Sequence, residues 1–188
     1  MTLCKTDQGA KTHGKQRASK PQTRQQSNPN RLGLIGSGGG IKYLFNLRKP
    51  LMENIQGKKV IYTEHVQTEW ASTHITLGKA ASQIDAGELL IDRAADDTDR
   101  LAQAGEQMSM EMRGRIRMDC SHGVRLILEG TTELYIAGGA AGITIKNPMQ
   151  QISRDLHATN MHGLLLIEPS AEVYGRILLG LEANTIII

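Results

Sequence analysis

Residues 108–147 read MSMEMRGRIRMDCSHGVRLILEGTTELYIAGGAAGITIKN. Four apolar-x-apolar triplets recur in this stretch: Ile116-Arg-Met118, Leu126-Ile-Leu128, Leu134-Tyr-Ile136 and Ile143-Thr-Ile145. Their first residues step by 10, 8 and 9 positions, and each triplet is followed by a Gly-bearing or polar break. Alternation over a short run gives one buried and one exposed face, because successive strand side chains point to opposite sides. Short strands repeated at even spacing, with glycine at the corners, stack as in a β-solenoid or an intertwined β-helix, where one unit alone cannot bury its apolar face. The expectation is an all-β, elongated rod with Ile116, Met118, Leu126, Leu128, Leu134, Ile136, Ile143 and Ile145 pointing inward.

The run GVRLILEGTTELYIAGGAAGITIKN, residues 123–147, resembles the needle segments of the valine-glycine-repeat spike proteins of type VI secretion systems and of the central tail spikes of contractile phages. That resemblance implies a homotrimer wound around one three-fold axis, with the eight inward residues as its core. It also implies a mechanical, non-enzymatic role, no cofactor, and a place in a virion assembled in the host cytoplasm. Other tail or baseplate proteins are the implied partners.

Composition is compatible with a thin core. Only 3% of the 188 residues are aromatic, whereas a thick sandwich draws on large rings to fill its centre. No apolar leader opens the chain and no run of about 18 apolar residues is present to span a bilayer. Cys4 and Cys120 lie far apart in unlike surroundings, so an internal disulfide has no particular support.

Charge is distributed unevenly. Residues 1–50 carry a net of +9 and the remainder −6, which the overall +3 conceals. Residues 1–31 form a low-complexity basic arm containing Lys5, Lys11, Lys15, Arg17, Lys20, Arg24 and Arg31. Such an arm buries too little apolar surface to offset its ordering entropy and is expected to be disordered, either docking on a neighbouring protein or remaining a solvated tail. Contact with nucleic-acid phosphates is the alternative, in which the chain is a capsid or packaging-associated protein; the first 31 positions hold no aromatic residue on which a base would stack. Residues 32–57 follow as a Gly-rich hinge and anchor, and 58–188 as the β-rich rod. Gly36, Gly38, Gly39 and Gly40 lack the Lys and hydroxyl of a phosphate loop.

Chemistry-bearing motifs are sparse. The acidic segment AADDTDRLAQAGEQ, residues 94–107, is the one place where the β pattern lapses, and it reads as a short helix or a solvated loop rather than a calcium loop. His157 and His162 fall on opposite faces of a strand, while Cys120 and His122 share one. Repeated about a three-fold axis, Cys120 and His122 would make a thiolate-imidazole metal site, against which stands the plainer reading of two strand-end residues. No GxSxG elbow or comparable nucleophile motif occurs. An enzyme or adhesin on a single-chain solenoid is the remaining alternative.

Overall fold

The computed structural model describes residues 53–188, and their regular structure is helical. Helix α1 spans Ala71–Ala104, α2 Met110–Ala137, α3 Pro148–Asn160 and α4 Ile167–Leu178. The expected all-β rod is overturned: among the described residues the only β pairing is an isolated antiparallel bridge between Lys59 and Val66. The basic arm of residues 1–31 and most of the 32–57 hinge lie outside the described residues.

Helix wins because residues three and four apart share a face. In α2, Cys120, Val124, Ile127, Thr131 and Leu134 are all buried, at the spacing of an apolar helical stripe. The triplet residues, two apart, are about 200° apart around that helix, so the inward face assigned to them does not exist. Leu128 and Leu134 are in the core and Ile116 packs against it, Met118 and Leu126 are half-buried, and Ile136, Ile143 and Ile145 are exposed. The acidic stretch 94–107 is mostly the last turns of α1 rather than a loop.

The helix ends follow local chemistry. Ser109 Oγ accepts the Met112 N–H at 3.2 Å to open α2, and Asn147 Oδ1 accepts the Met149 N–H at 3.0 Å to open α3, with Pro148 in its first turn. Asn147-Pro148 is thus a helix start. Gly105, at φ 68°, closes α1; its N–H reaches Ala102 O and the next N–H reaches Leu101 O. Asn54 Nδ2 and Gln67 Nε2 donate to the carbonyls of Gly138 and Ala137, which satisfies the C-terminal end of α2.

The α1/α2 pair is the frame on which the rest is built. Ala80, Gly87 and Ala94 in α1, and Gly123 and Gly130 in α2, repeat every seven residues, and the two helices run antiparallel so that Gly87 faces Gly123 and Ala80 faces Gly130. A Cβ on Gly87 would lie 2.5 Å from Gly123 O, and one on Gly130 2.7 Å from Ala80 O. The backbones therefore approach so closely that only small residues fit between them, and Ile84, Ile91, Ile127 and Leu134 seal the seam on either side. Helix α3 packs on α2 through Met149, Ile152 and Leu156, and α4 through Val173. No described helix is long and apolar enough to cross a membrane.

Candidate functional site

Arg113, Ile116, Arg117 and Cys120 fall at positions i, i+3, i+4 and i+7 of α2, so they present one face. That face, the turn between α3 and α4, and the segment after α4 enclose a groove of about 440 Å³ lined by Met108, Arg113, Ile116, Arg117, Cys120, His162, Leu164, Leu165, Ile187 and Ile188. Its walls are mainly apolar, with two guanidinium groups and one imidazole as the polar exceptions, a composition suited to a small organic ligand.

The polar groups are positioned by hydrogen bonds that leave part of Arg113 and of His162 free. His162 Nδ1 accepts the Leu164 N–H at 3.3 Å, so the neutral ring carries its proton on Nε2. Its carbonyl accepts the Leu165 N–H at 2.7 Å, which tightens the turn that carries the ring. Arg113 Nε donates to Met108 O at 3.3 Å, and its two Nη groups have no partner among the described residues. Arg117 is committed: Nη1 donates to Ile187 O at 2.6 Å and Nε to Ser170 Oγ at 3.3 Å. Ser170, fully buried, donates its own O–H to Leu166 O at 2.8 Å.

Burial, and secondarily the Asp119 carboxylate, pushes the Cys120 thiol up to about 11. The sulfur is therefore a protonated, apolar piece of wall at neutral pH, not a thiolate. His122 lies two positions along α2, on a different face from Cys120, and the shared-face geometry proposed for a metal at that pair is lost with the strand. Among the described residues no group of three or more His, Cys, Asp or Glu is placed to hold a metal ion. His157, on α3, points its Nδ1 to Ser153 O at 2.7 Å and does not join His162 in the groove lining.

Behind the groove, charge locks α2 to α1. Asp119, 5% exposed, receives Arg93 through Nε at 3.0 Å and Nη2 at 2.6 Å, and Arg115 Nη1 at 3.4 Å. Arg115 Nη2 also reaches Asp97 at 2.6 Å, and Arg100 reaches it at 3.1 Å. The hydrogen bond that Arg93 donates to Asp119 raises the Arg93 pKa, and those from Arg115 and Arg100 hold the Asp97 carboxyl below the usual range. This network fixes the rotation of α2 and hence the direction in which Arg113 and Cys120 point.

A second cleft, of about 470 Å³, lies at the other end of α2 between Lys58, Lys59, Trp70 and the Gly138–Ala141 turn. Both ammonium groups are already engaged, Lys58 with Asn54 Oδ1 and Lys59 with Glu64.

Comparison with known proteins overturns the spike reading. The family model for the acyl-CoA dehydrogenase C-terminal domain matches residues 50–166, more than half of the chain. The oxygenase subunit HsaA of a flavin-dependent monooxygenase from Mycobacterium tuberculosis is 31% identical over 102 residues, covering 54% of this chain and 26% of that protein. The corresponding subunit from Rhodococcus jostii is 28% identical over 101 residues, with the same coverage. Among solved structures, XiaF from a Streptomyces species, in complex with FADH2 and glycerol, superposes with a TM-score of 0.74 at 27% identity over 79% of this chain and 38% of that one. The crystal structure of M. tuberculosis HsaA, at 24% identity and a TM-score of 0.65, supports the fold alone.

The HsaA relatives are named as oxygenase subunits of bacteria, so the assignments as a phage spike, as a non-enzymatic structural component and as a virion protein are corrected. This chain spans about a quarter of the length of the curated relatives it matches. With the helical frame, its glycine crossing and the family match all in place, the chain belongs to the acyl-CoA dehydrogenase C-terminal domain family.

Proposed function

We propose that this chain is the helical domain of a flavin-dependent monooxygenase and that its groove supplies the substrate-side wall for an apolar, ring-bearing molecule carrying an oxygen, of the phenol class. The observation that supports this most directly is the groove itself. An apolar floor of Ile116, Leu164 and Leu165 stands beside two polar groups, Arg113 and His162, whose unused N–H groups are suited to one oxygen atom on the ligand. The names of the relatives, both flavin-dependent oxygenase subunits, supply the reaction class.

A pyrophosphate needs free backbone N–H groups or unpaired cations. Here the N-termini of α2 and α3 are closed by Ser109 and Asn147 and Lys58 and Lys59 are paired, while Arg113 keeps both Nη groups free and the N-termini of α1 and α4 carry no side-chain cap, so groups able to meet a phosphate remain among the described residues. In this reading the groove orients the substrate, excludes water from its apolar part and donates a hydrogen bond to its oxygen.

Titration of the full chain with 2-naphthol, followed by the fluorescence of the ligand, tests the assignment. Saturable binding at one ligand per chain, weakened about fivefold or more by Arg113→Ala with unchanged helicity, is the expected result. Binding that never saturates, or that ignores Arg113, refutes it. Incubation with reduced flavin from NADH and a flavin reductase, in air, then asks by mass spectrometry whether the full chain hydroxylates the bound naphthol.

A further inference from the structure

One side of the groove is built by a segment of unusual character. Residues 182–188 have no regular structure, and their apolar side chains are only lightly covered: Ile186 is 101% and Ile187 57% exposed. What holds the segment is a small set of polar contacts from the bundle. Arg176 Nε donates to Glu182 O at 2.9 Å, Asn184 Nδ2 donates to Glu172 Oε1 at 2.7 Å, and Arg117 Nη1 donates to Ile187 O at 2.6 Å. The last of these comes from a residue that also lines the groove, so the wall and the floor share one guanidinium.

Ile187 and Ile188 border the groove, yet the space between them and Cys120 remains open. They are a wall and not a plug. A wall held by exposed hydrogen bonds with little apolar burial behind it is the part of a site that opens at least cost, whereas the α2 floor is fixed by core packing and by the Asp119 network. We propose that Ile187 and Ile188 are specificity-determining residues: as the yielding wall of the groove, they set the length of ring-bearing ligand it accepts. This rests on the groove being the ligand site proposed above. The ligand class is a phenol with its oxygen at Arg113 and His162 and its far end against the two isoleucines.

The test compares a compact and a long phenol, 2-naphthol and 4-hydroxy-p-terphenyl, on the full chain and on the Ile187→Ala/Ile188→Ala variant. The expected result is that affinity for the long phenol relative to the compact one rises about threefold or more in the variant. That is less than the discrimination of a closed pocket, because this one is open on one side. Amide hydrogen exchange supplies the second readout. On saturation with 2-naphthol, residues 182–188 should gain protection together with 108–120, while α1 is unchanged.

An unaltered affinity ratio, or protection of 108–120 without 182–188, overturns the role of the two isoleucines while leaving the groove assignment standing. Failure of both phenols to bind the unmodified chain overturns both readings. Should the double alanine variant lose helicity, Ile187→Val/Ile188→Val removes less volume and must shift the ratio in the same direction.

Discussion

Substituting Gly123 by alanine should destabilise the protein, even though alanine is the better helix former. A methyl group placed there would lie 2.7 Å from Gly87 O and 2.7 Å from Ile91 Cγ1, about 0.7 Å short of the 3.4 Å at which ordinary contact begins. One of the two neighbours is backbone of the facing helix, which no rotamer change can remove, so α1 and α2 must move apart along the seam. Overpacking of this kind costs about 1–3 kcal/mol, against which alanine returns at most about 1 kcal/mol of helix propensity. With the full return the net is a loss of up to about 2 kcal/mol, read as a fall in Tm of up to about 8 °C for a protein of this size. Gly78 is the internal control: it sits in the same pair of helices, in α1, with nothing within 4 Å of an added Cβ. Gly78→Ala should therefore raise stability by about 0.5–1 kcal/mol. Circular dichroism at 222 nm through thermal and urea unfolding measures both. If Gly123→Ala melts at or above the temperature of the unsubstituted protein while Gly78→Ala behaves as described, the close crossing is not as tight as the geometry states and the packing argument fails.

Three further outcomes follow from the ion pairs and the thiol. Arg93→Ala should cost about 1–3 kcal/mol in urea titrations, because it leaves the buried Asp119 carboxylate with only the longer contact to Arg115, whereas Arg100→Ala, at an exposed pair, should cost under about 0.5 kcal/mol; equal losses would mean that Asp119 is not the pivot. Asp97 is held below its ordinary value of 3.8 by Arg115 and Arg100, so its contribution is fully present above that value and is lost as pH falls through the folded-state value. The unsubstituted protein should accordingly lose more stability than Asp97→Asn between pH 5 and pH 2, and parallel acid profiles would exclude the pairing. The Cys120 thiol, raised from 9.0 to about 11, should alkylate at least about 100-fold more slowly than an unperturbed thiol at pH 8, as measured by peptide mass spectrometry, and recover in denaturant; fast native labelling would show that the groove does not bury it.

Much of the local structure is legible in the residues. Ser109 ahead of a long run, Asn147 followed by Pro148, and Gly105 after Ala104 are start and stop signals whose hydrogen bonds the fold then makes. The spacing of residues 120, 124, 127, 131 and 134, together with the seven-residue repeat of small residues at 80, 87 and 94 and at 123 and 130, is also in the chain. Read this way, it describes two helices meeting along a narrow seam. The competing two-residue pattern rests on the same Ile and Leu positions and takes the glycines as corners, and nothing within residues 108–147 alone decides between the two.

What the sequence by itself determines is the charge asymmetry between residues 1–50 and the rest, the scarcity of aromatic rings, the positions of the helix caps and the two periodicities that compete over α2. Only the tertiary structure decides that the glycines are contact surfaces rather than turns, because Gly87 and Gly123 acquire that meaning from each other across 36 positions. The groove is decided in the same way. Arg113 and Cys120, His162 and Leu165, and Ile187 are remote along the chain, and their roles depend on which side chain faces which across the bundle. Local propensity and spacing report a residue's immediate neighbours; packing selects among the structures they allow, since it is the contact between distant segments that removes apolar surface from water.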